Sequence, residues 1–443
     1  MTHELITQVQ KDEIRFISLQ FTDILGNTKS VSLPVDQLER ALQDGIWFDG
    51  SSIEGFARIQ ESDRVLKPDP ATYRILPWSA PERRRARLFC DVHGIDGQPA
   101  PNDPRTALKK MLTRAAEKGY VFNTGPELEF FLFEHNHGTS IHPVPYDVVG
   151  YFDFSPRDKA QQVRGEIVLA LKTLGIEVEM SHHEVATGQH EIDFRYADAL
   201  TSADNAVTFK YTVRAVAAAH DLYASFMPKP IFGINGSGMH VHQSFSDAAG
   251  GNLFHAADTP HHLSPLAEAF VAGQLVHARA LAAVVAPTVN SYKRLTPGYE
   301  APVYICWAQQ NRSALIRVPA ATPGHEAASR VELRCPDPSA NPYLAFAAML
   351  AAGLDGIERG LQAPEMINDD IYHLSKAERQ ARAIGTLPGT LAEALEALEQ
   401  DEVLLDALGE SIAETFIRAK WNEWDEYRIQ VTPWELERYL ETA

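Results

Sequence analysis

The 443-residue sequence predicts strands mixed with helices, an α/β or α+β fold, in two domains or in one large domain with an appendage. Three observations carry that prediction. Strand signals dominate residues 13 to 33, and turn signals residues 47 to 63. Residues 67 to 104 are rich in Pro, Arg and Asp (KPDP, RRRAR, QPAPNDP) and mark a boundary near 100 to 104. Beyond it, strand-like and helix-like patterns alternate. The expected domains are therefore 1–103 and 104–443.

Residues 13 to 33 place Ile17, Leu19 and Phe21 on one face, turn at Leu25-Gly26-Asn27 and resume through Val31 and Leu33, the pattern of a β-hairpin. WFDGSSIEGFARIQESD, residues 47 to 63, reads as a polar loop carrying apolar Ile53 and Phe56. Asp103-Pro104 supplies an N-cap and a proline at the first helical position. Leu108, Met111, Leu112 and Ala115 then form an apolar stripe that runs up to Gly119. ELEFFLFE, residues 127 to 134, is a strand. Ser155-Pro156 is read as the start of the next helix, with Val163, Ile167, Leu171 and Leu174 inward and Gly175 at its end.

EVEMSHHEVATGQHEIDFRY predicts two strands around a Thr187-Gly188 turn, with Glu191 and Asp193 opposite Ile192 and Phe194. Helix patterns fill 201 to 226, 265 to 286 and 339 to 360, and residues 376 to 426 are helical and charged. The tail keeps Trp434, Leu436, Tyr439 and Leu440, suited to docking on another subunit or on the chain's own body.

A formal net charge of −19 argues against nucleic acid or an anionic membrane as partner, so an anionic substrate must be held locally. Cys90, Cys306 and Cys335 show no CxxC spacing, which suits a reducing cytosol. The N-terminal residues have neither the basic nor the apolar segment of a signal peptide. The apolar stretch Leu266 to Ala286 is interrupted by Glu268, Gln274, His277 and Arg279 and reads as a core helix. A soluble, cytoplasmic protein is expected.

The chemistry collects around KPIFGINGSGMHVHQS, residues 229 to 244. Asn235-Gly236 opens a Gly-Ser-Gly run that lets backbone approach a ligand closely. In the short strand that follows, His240, His242 and Ser244 share one face while Met239, Val241 and Gln243 share the other. Glu127 and Glu129 lie two apart on one strand face, about 7 Å apart along it, flanked by Phe130, Phe131 and Phe133. Such a pair repels unless it faces solvent or a cation sits between its members, and the cation is the preferred reading.

Glu127, Glu129, Glu184, Glu191, Glu332 and His240 are read as one site. Oxygen-dominated ligation without a thiolate favours Mg2+ or Mn2+, and six ligands imply two or more positions. The counter-charge lies between 290 and 334, in Lys293, Arg294, Arg312, Arg317, Arg330 and Arg334. In SRVELR, Arg330, Glu332 and Arg334 share a strand face, and no Gly-Lys-Ser phosphate loop exists, so phosphate held by metals and arginines is the economical reading.

The strings FDGSSIEGF, GPELEFFLF, HHEVATGQHE, KPIFGINGSGMHVHQS, NSYKRLTPGYEAP, NRSALIRVP and RVELRCPDPSANPYL, in that order, resemble the signature segments of type I bacterial glutamine synthetases. The resemblance implies an α+β fold: a small N-terminal β-grasp domain and a larger catalytic domain with an antiparallel sheet and surrounding helices. It implies two stacked hexameric rings that ligate L-glutamate and ammonia, with ATP hydrolysis, through γ-glutamyl phosphate.

By motif, Glu129, Glu184 and Glu191 would hold one metal, and Glu127, His240 and Glu332 the second. Asn235 and Gly236 would bind the amino end of glutamate, with Arg294, Arg312 and Arg334 near its carboxylates or the moving phosphoryl group. Tyr151, Glu179, His242, Ser244, Arg317 and Arg330 would lie on the ATP side. Glu300 would sit on a shielding flap, and Asp49 of the neighbouring subunit would bind ammonium. Arg58 would belong to glutamine feedback.

GHEAASRVELR lacks the lysine that many adenylylated relatives place before the RxExR strand, and Tyr372 has different flanks from theirs. The pattern resembles the subgroup without the regulatory insertion, controlled by glutamine and protein partners, and adenylylation is not expected. Two alternatives remain at this stage: a γ-glutamyl-amine ligase using a polyamine or other amine, and a glutamine-sensing pseudoenzyme. Asp49 in an intact DGSS favours a small cation over the first, and the full set of metal ligands counts against the second.

Overall fold

The computed structural model describes residues 2–51, 53, 63–135, 143–309, 311, 313–320, 324, 326–368, 371 and 374–442. Phe56, Arg58, Arg312 and Tyr372 lie outside the described residues.

The expected hairpin forms because its alternating apolar residues have a core to enter. Ile17, Leu19 and Phe21 of β1 (Phe16–Thr22) are buried, and β1 pairs antiparallel with β2 (Thr28–Pro34). Asp23 closes the turn by accepting the N–H groups of Leu25 and Asn27 at 3.0 and 2.8 Å. The remaining strands are β3 (Ile46–Asp49), β4 (Asp63–Pro68), β5 (Arg74–Ile75) and β6 (Arg85–His93), in the order β2-β1-β6-β4-β3, with β5 on β6 and β1 parallel to β6. Two short helices, α1 (Thr2–Lys11) and α2 (Leu38–Asp44), flank this sheet. The first was not expected from sequence; its Leu5 and Val9 join Ile14 in the N-terminal core.

Asp103 caps α3 (Pro104–Glu117) as expected, accepting the Thr106 N–H. The second sheet is built on β7 (Val121–Glu134), with β8 (Val178–His183), β9 (Gln189–Phe194), β10 (Ala197–Asp198), β11 (Leu222–Ser225), β12 (Met239–Ser246), β13 (Tyr304–Ala308), β14 (Ala314–Arg317), β15 (Val331–Leu333) and β16 (Gly385–Thr386). Its order is β16-β13-β14-β15-β12-β7-β9-β8, with β10 and β11 also on β7, and its pairs are antiparallel except β13 with β14.

Alternation on β7 sends Leu128, Phe130 and Leu132 into the main core and Glu127 and Glu129 to the opposite face. The core side carries α4 (Gln161–Thr173), α5 (Ala199–Ala219), α6 (Pro265–Val276), α7 (Ala278–Val285) and α9 (Pro342–Glu358), with the short α8 (Ser291–Arg294) between the last two. The chain closes with α10 (Lys376–Ala381), α11 (Leu391–Leu398), α12 (Glu402–Leu408), α13 (Glu410–Arg428) and α14 (Pro433–Tyr439).

The two sheets are tied by charge and by caps. Arg105 pairs with Asp69 at 2.9 Å, Asp91 at 2.7 Å and Asp204 at 2.9 Å. Asn341, the N-cap of α9, donates to the Asp23 carbonyl at 2.9 Å.

Three expected helices are corrected. The helix read from Ser155-Pro156 begins at Gln161, because the Ser155 hydroxyl turns back to accept the Arg157 N–H at 3.2 Å and closes a local turn instead. The helix read over 201 to 226 ends at Ala219; Asp221, at φ 56°, reverses the chain and LYAS joins β7 as β11. The stretch 265 to 286 is two helices meeting at 78°, broken at His277, whose two ring nitrogens lie against Asp401 and Asp355. No single helix among the described residues is long and apolar enough to cross a membrane. Trp434, Leu436, Tyr439 and Leu440 are exposed on this chain.

Candidate active site

Cross-strand register assembles the site. Glu127 on β7 lies opposite His240 on β12, and Glu129 lies opposite Glu191 on β9, which in turn faces His182 on β8. On the other side of β12, His242 lies opposite Glu332 on β15, and Glu332 opposite Arg317 on β14. A row of charged and imidazole side chains thus crosses the face of the sheet away from the helices, one pair per strand contact.

All of these residues except His242 line a cavity of about 250 Å3 together with Tyr151, Glu184, Asp193, Asn235, Gly236, Arg294, Glu300 and Arg334. A second cavity of about 320 Å3 adjoins it, sharing Glu127, Met180 and Asp193, and is lined by Glu179, His242, Ser244 and Arg330. Of the residues expected on the ATP side, Tyr151 and Arg317 therefore open into the carboxylate cavity and the other four into its neighbour. Asp49 ends an outer strand of the N-terminal sheet, is exposed, and lines neither cavity of its own chain.

Glycine is required where backbone meets the site. A Cβ at Gly238 would lie 2.5 Å from Arg294 Nη2 and 3.0 Å from His240 Nε2, and one at Gly236 would collide with the Pro228 carbonyl. Buried Arg294 donates to the carbonyls of Cys335 (3.0 Å), Pro336 (3.2 Å) and Arg334 (3.1 Å), so its guanidinium is held rigidly beside Gly238. Glu300 sits at φ 58°, a strained conformation for a side-chain-bearing residue, just after Gly298 at φ 97°.

Two environments divide the carboxylates. Burial opposes ionisation of Glu127, but hydrogen bonds from His240 and His242, the latter at 2.7 Å, hold its carboxyl well below the usual range. Burial also opposes the charge on Glu332, which is overcome by Arg334 at 2.5 Å and the two histidines; Arg317 Nε donates to it as well. On the other side, burial and the neighbouring Glu184 push Glu129 up to about 8. Burial and the surrounding carboxylates, Glu129 first, push Glu191 well above its ordinary range. Burial and Glu127 raise Asp193 to about 6, and its Oδ1 has no hydrogen-bond partner among the described residues.

A divalent cation held there would relieve that repulsion. Ligand atoms lie within 4.8 Å of one another in three groups: Glu127, His240 and Glu332; His182, Glu184 and Glu191; and Glu127, Glu191 and Asp193. Burial and Arg334 lower His240 to about 4, so its imidazole is neutral and able to ligate at neutral pH. The donor set, mostly carboxylate with no thiolate, fits hard cations. Glu129 is in none of the groups; its Oε2 accepts Gln189 Nε2 at 2.7 Å and the Gly238 N–H at 3.0 Å.

His182, Gln189 and Asp193 were not among the expected site residues. The signal for Asp193 was present, since it shares a strand face with Glu191. His182 could have been found by pairing β8 and β9 about the Thr187-Gly188 turn, which sets it opposite Glu191. Gln189 carries the same mark as Asp193, since it too lies two residues from Glu191 on that strand face.

A sheet whose open face gathers carboxylates, imidazoles and guanidinium groups, preceded in the chain by a smaller N-terminal sheet, defines a two-domain enzyme. Two family models divide the chain in the same way: glutamine synthetase, catalytic domain, matches residues 101–439, and glutamine synthetase, beta-grasp domain, matches residues 13–95. The glutamine synthetase of Halobacterium salinarum is 52% identical over 438 residues, covering 99% of this chain and 96% of that protein. That of Thermus thermophilus is 52% identical over 444 residues, covering 99% and 98%. Among solved structures, a GmaS/ADP complex is 38% identical with a TM-score of 0.90, covering 99% of this chain and 100% of its own. Plasmodium falciparum glutamine synthetase is 27% identical with a TM-score of 0.88, covering 99% and 98%. The chain belongs to the glutamine synthetase family.

Proposed function

We propose that this chain joins L-glutamate and ammonia into L-glutamine, with ATP converted to ADP and phosphate through γ-glutamyl phosphate. The observation that carries the reading is one cavity in which Glu127, Glu129, Glu184, Glu191, Glu332 and His240 face Arg294, Arg317 and Arg334. A carboxylate does not react with ammonia because its oxygen is a poor leaving group. A γ-carboxylate oxygen of glutamate therefore attacks the terminal phosphorus of ATP, the bond to ADP breaks, and ammonia then attacks the acyl carbon and expels phosphate.

Glu127, His240 and Glu332 would hold one Mg2+ or Mn2+, and Glu184 and Glu191, with Glu129, another. Such ions stabilise phosphate charge during transfer. Asn235 and Gly236 bind the amino end of glutamate, and Arg294, Arg312 and Arg334 meet its carboxylates or the phosphoryl group. Tyr151, Glu179, His242, Ser244, Arg317 and Arg330 bind ATP. Glu300, on a loop of hinge chemistry, shields the acyl phosphate from water. Asp49 from an adjacent subunit attracts ammonium, and it or Glu300 takes the proton that must leave before nitrogen attacks.

Two stacked hexameric rings place Asp49 beside a neighbour's cavity. The domains divide at 103/104, the protein acts in the cytoplasm, Arg58 belongs to glutamine feedback, and a protein partner adjusts it. The deciding assay is ATP-dependent phosphate release with glutamate, comparing ammonia, putrescine and ethylamine. Ammonia is expected to support the fastest turnover; faster turnover with either amine would replace this reading by a γ-glutamyl-amine ligase.

A further inference from the structure

Behind the hairpin that carries Glu184 and Glu191 lies a buried polar cluster. Asp147, His183 and His190 are fully buried, and the two histidines are cross-strand partners on β8 and β9. Each immediately precedes one of the two glutamates. Asp147 Oδ1 lies 2.7 Å from His183 Nε2 and 3.1 Å from the Gly188 amide of the hairpin turn. His183 Nδ1 lies 2.7 Å from the Glu184 carbonyl. Arg164, paired with Asp158 at 2.6 Å, lies 3.1 Å from His190 Nδ1. His190 Nε2 and Asp147 Oδ2 are 3.6 Å apart, and neither has a hydrogen-bond partner among the described residues.

Three ligand-type atoms within 4.8 Å could suggest another cation site. The hydrogen-bond directions argue otherwise. A guanidinium only donates, so His190 Nδ1 accepts from Arg164, and Nε2 carries the proton that faces Asp147. A carbonyl only accepts, so His183 Nδ1 donates to Glu184, while its Nε2 donates to the Asp147 carboxylate. The nitrogens nearest Asp147 therefore present protons instead of lone pairs.

We propose that Asp147, His183 and His190 are positioning residues that clamp both arms of the hairpin, so that Glu184 and Glu191 converge on one cation in the adjoining cavity. The clamp also ties the hairpin to the segment leading from Asp147 to Tyr151 and Phe152. The Phe152 amide donates to the His183 carbonyl at 3.2 Å, and its ring packs edge-on to His182 with centroids 4.7 Å apart. Carboxylates holding a cation must be placed to within about 0.5 Å, and residues behind them supply that rigidity. The inference rests on the metal-dependent ligase reading above.

The test is Mn2+ binding by calorimetry on full-length, assembled protein, with thermal midpoint and oligomer size measured alongside. Asp147→Asn and His183→Gln are expected to weaken Mn2+ binding about 10- to 100-fold, the range for residues that orient metal ligands. His277→Asn, which disrupts a comparable histidine–aspartate contact among the helices, is expected to leave Mn2+ affinity within twofold of wild type. If Asp147→Asn and His183→Gln do not assemble, His190→Asn decides in their place by the same measure. Mn2+ affinity within twofold of wild type in any assembled clamp variant, or equal weakening in His277→Asn, overturns the proposal. A wild-type protein that binds Mn2+ but makes no glutamine overturns the ligation reading alone, and the clamp is then still judged by the binding data.

Discussion

Glu129 and Phe130 are neighbours on β7 and nearly equally buried, at 8% and 0% exposure, yet burial acts on them in opposite directions. Phe130 enters a cluster with Phe209, Phe226 and the His190 ring, where removing apolar surface from water stabilises by about 1.5–3 kcal/mol. Glu129 is pushed up to about 8 by burial and then by Glu184. The two faces of one strand thus divide the work: one stores stability, and the other holds carboxylates in a place where they are poorly satisfied until a cation arrives. Burial alone does not reveal which face is functional. A cluster of strongly shifted titratable groups lining one cavity does.

The comparison is sharpened first by Phe130→Ala, which should cost about 3–5 kcal/mol of stability in denaturant unfolding, as a large aromatic cavity does. Loss of turnover in this variant without loss of stability would break the division. On the opposite face, Glu332→Ala should lower turnover about 10²- to 10³-fold at saturating Mg2+, as removal of a positioned charge does. Its stability should fall less than that of Phe130→Ala. Unchanged turnover, or full activity of the wild type in excess chelator, would remove Glu332 and the metals from the chemistry.

The site's edge is tested by reassembling two inactive variants together, Asp49→Asn and Glu300→Ala. Random mixed oligomers at equal ratio should recover roughly one intact site in four if each site takes one residue from each subunit. Confirmed mixing with no recovery of glutamine formation would place Asp49 in its own subunit's site or outside the chemistry.

A smaller effect is expected far from the carboxylate face, at His277. Burial opposes its charge, but hydrogen bonds from its ring to Asp401 at 2.6 Å and Asp355 at 3.0 Å raise its pKa above 6.5. Its folded pKa exceeds the unfolded value, so its contribution is complete below pH 6.5 and is lost as pH rises through the folded pKa. The thermal midpoint should fall across that interval in wild type, and the fall should be shallower in His277→Gln. Parallel pH profiles would show that His277 is not the group responsible. Smallest of all, Arg58→Ala should flatten the glutamine inhibition curve while leaving uninhibited turnover near wild type; an unchanged curve would remove Arg58 from feedback.

Local sequence was enough wherever a residue's partner lies nearby in the chain. The cap at Asp103, the turn at Leu25-Gly26-Asn27 and the face alternation from Met239 to Ser244 are all legible, because backbone geometry fixes them over a few residues. The ordered motifs were enough for the family. Tertiary structure decided what depends on pairing between distant strands. It set His182 against Glu191, brought Asp193 and Gln189 into the carboxylate group, and stood Glu332 between Arg317 and Arg334. It also moved a helix start from Ser155 to Gln161 and broke another helix at His277, where Asp355 and Asp401 meet the imidazole. Periodicity determines which face a side chain takes, whereas the distance between two ligand atoms depends on hydrogen-bond register and packing between segments remote in sequence.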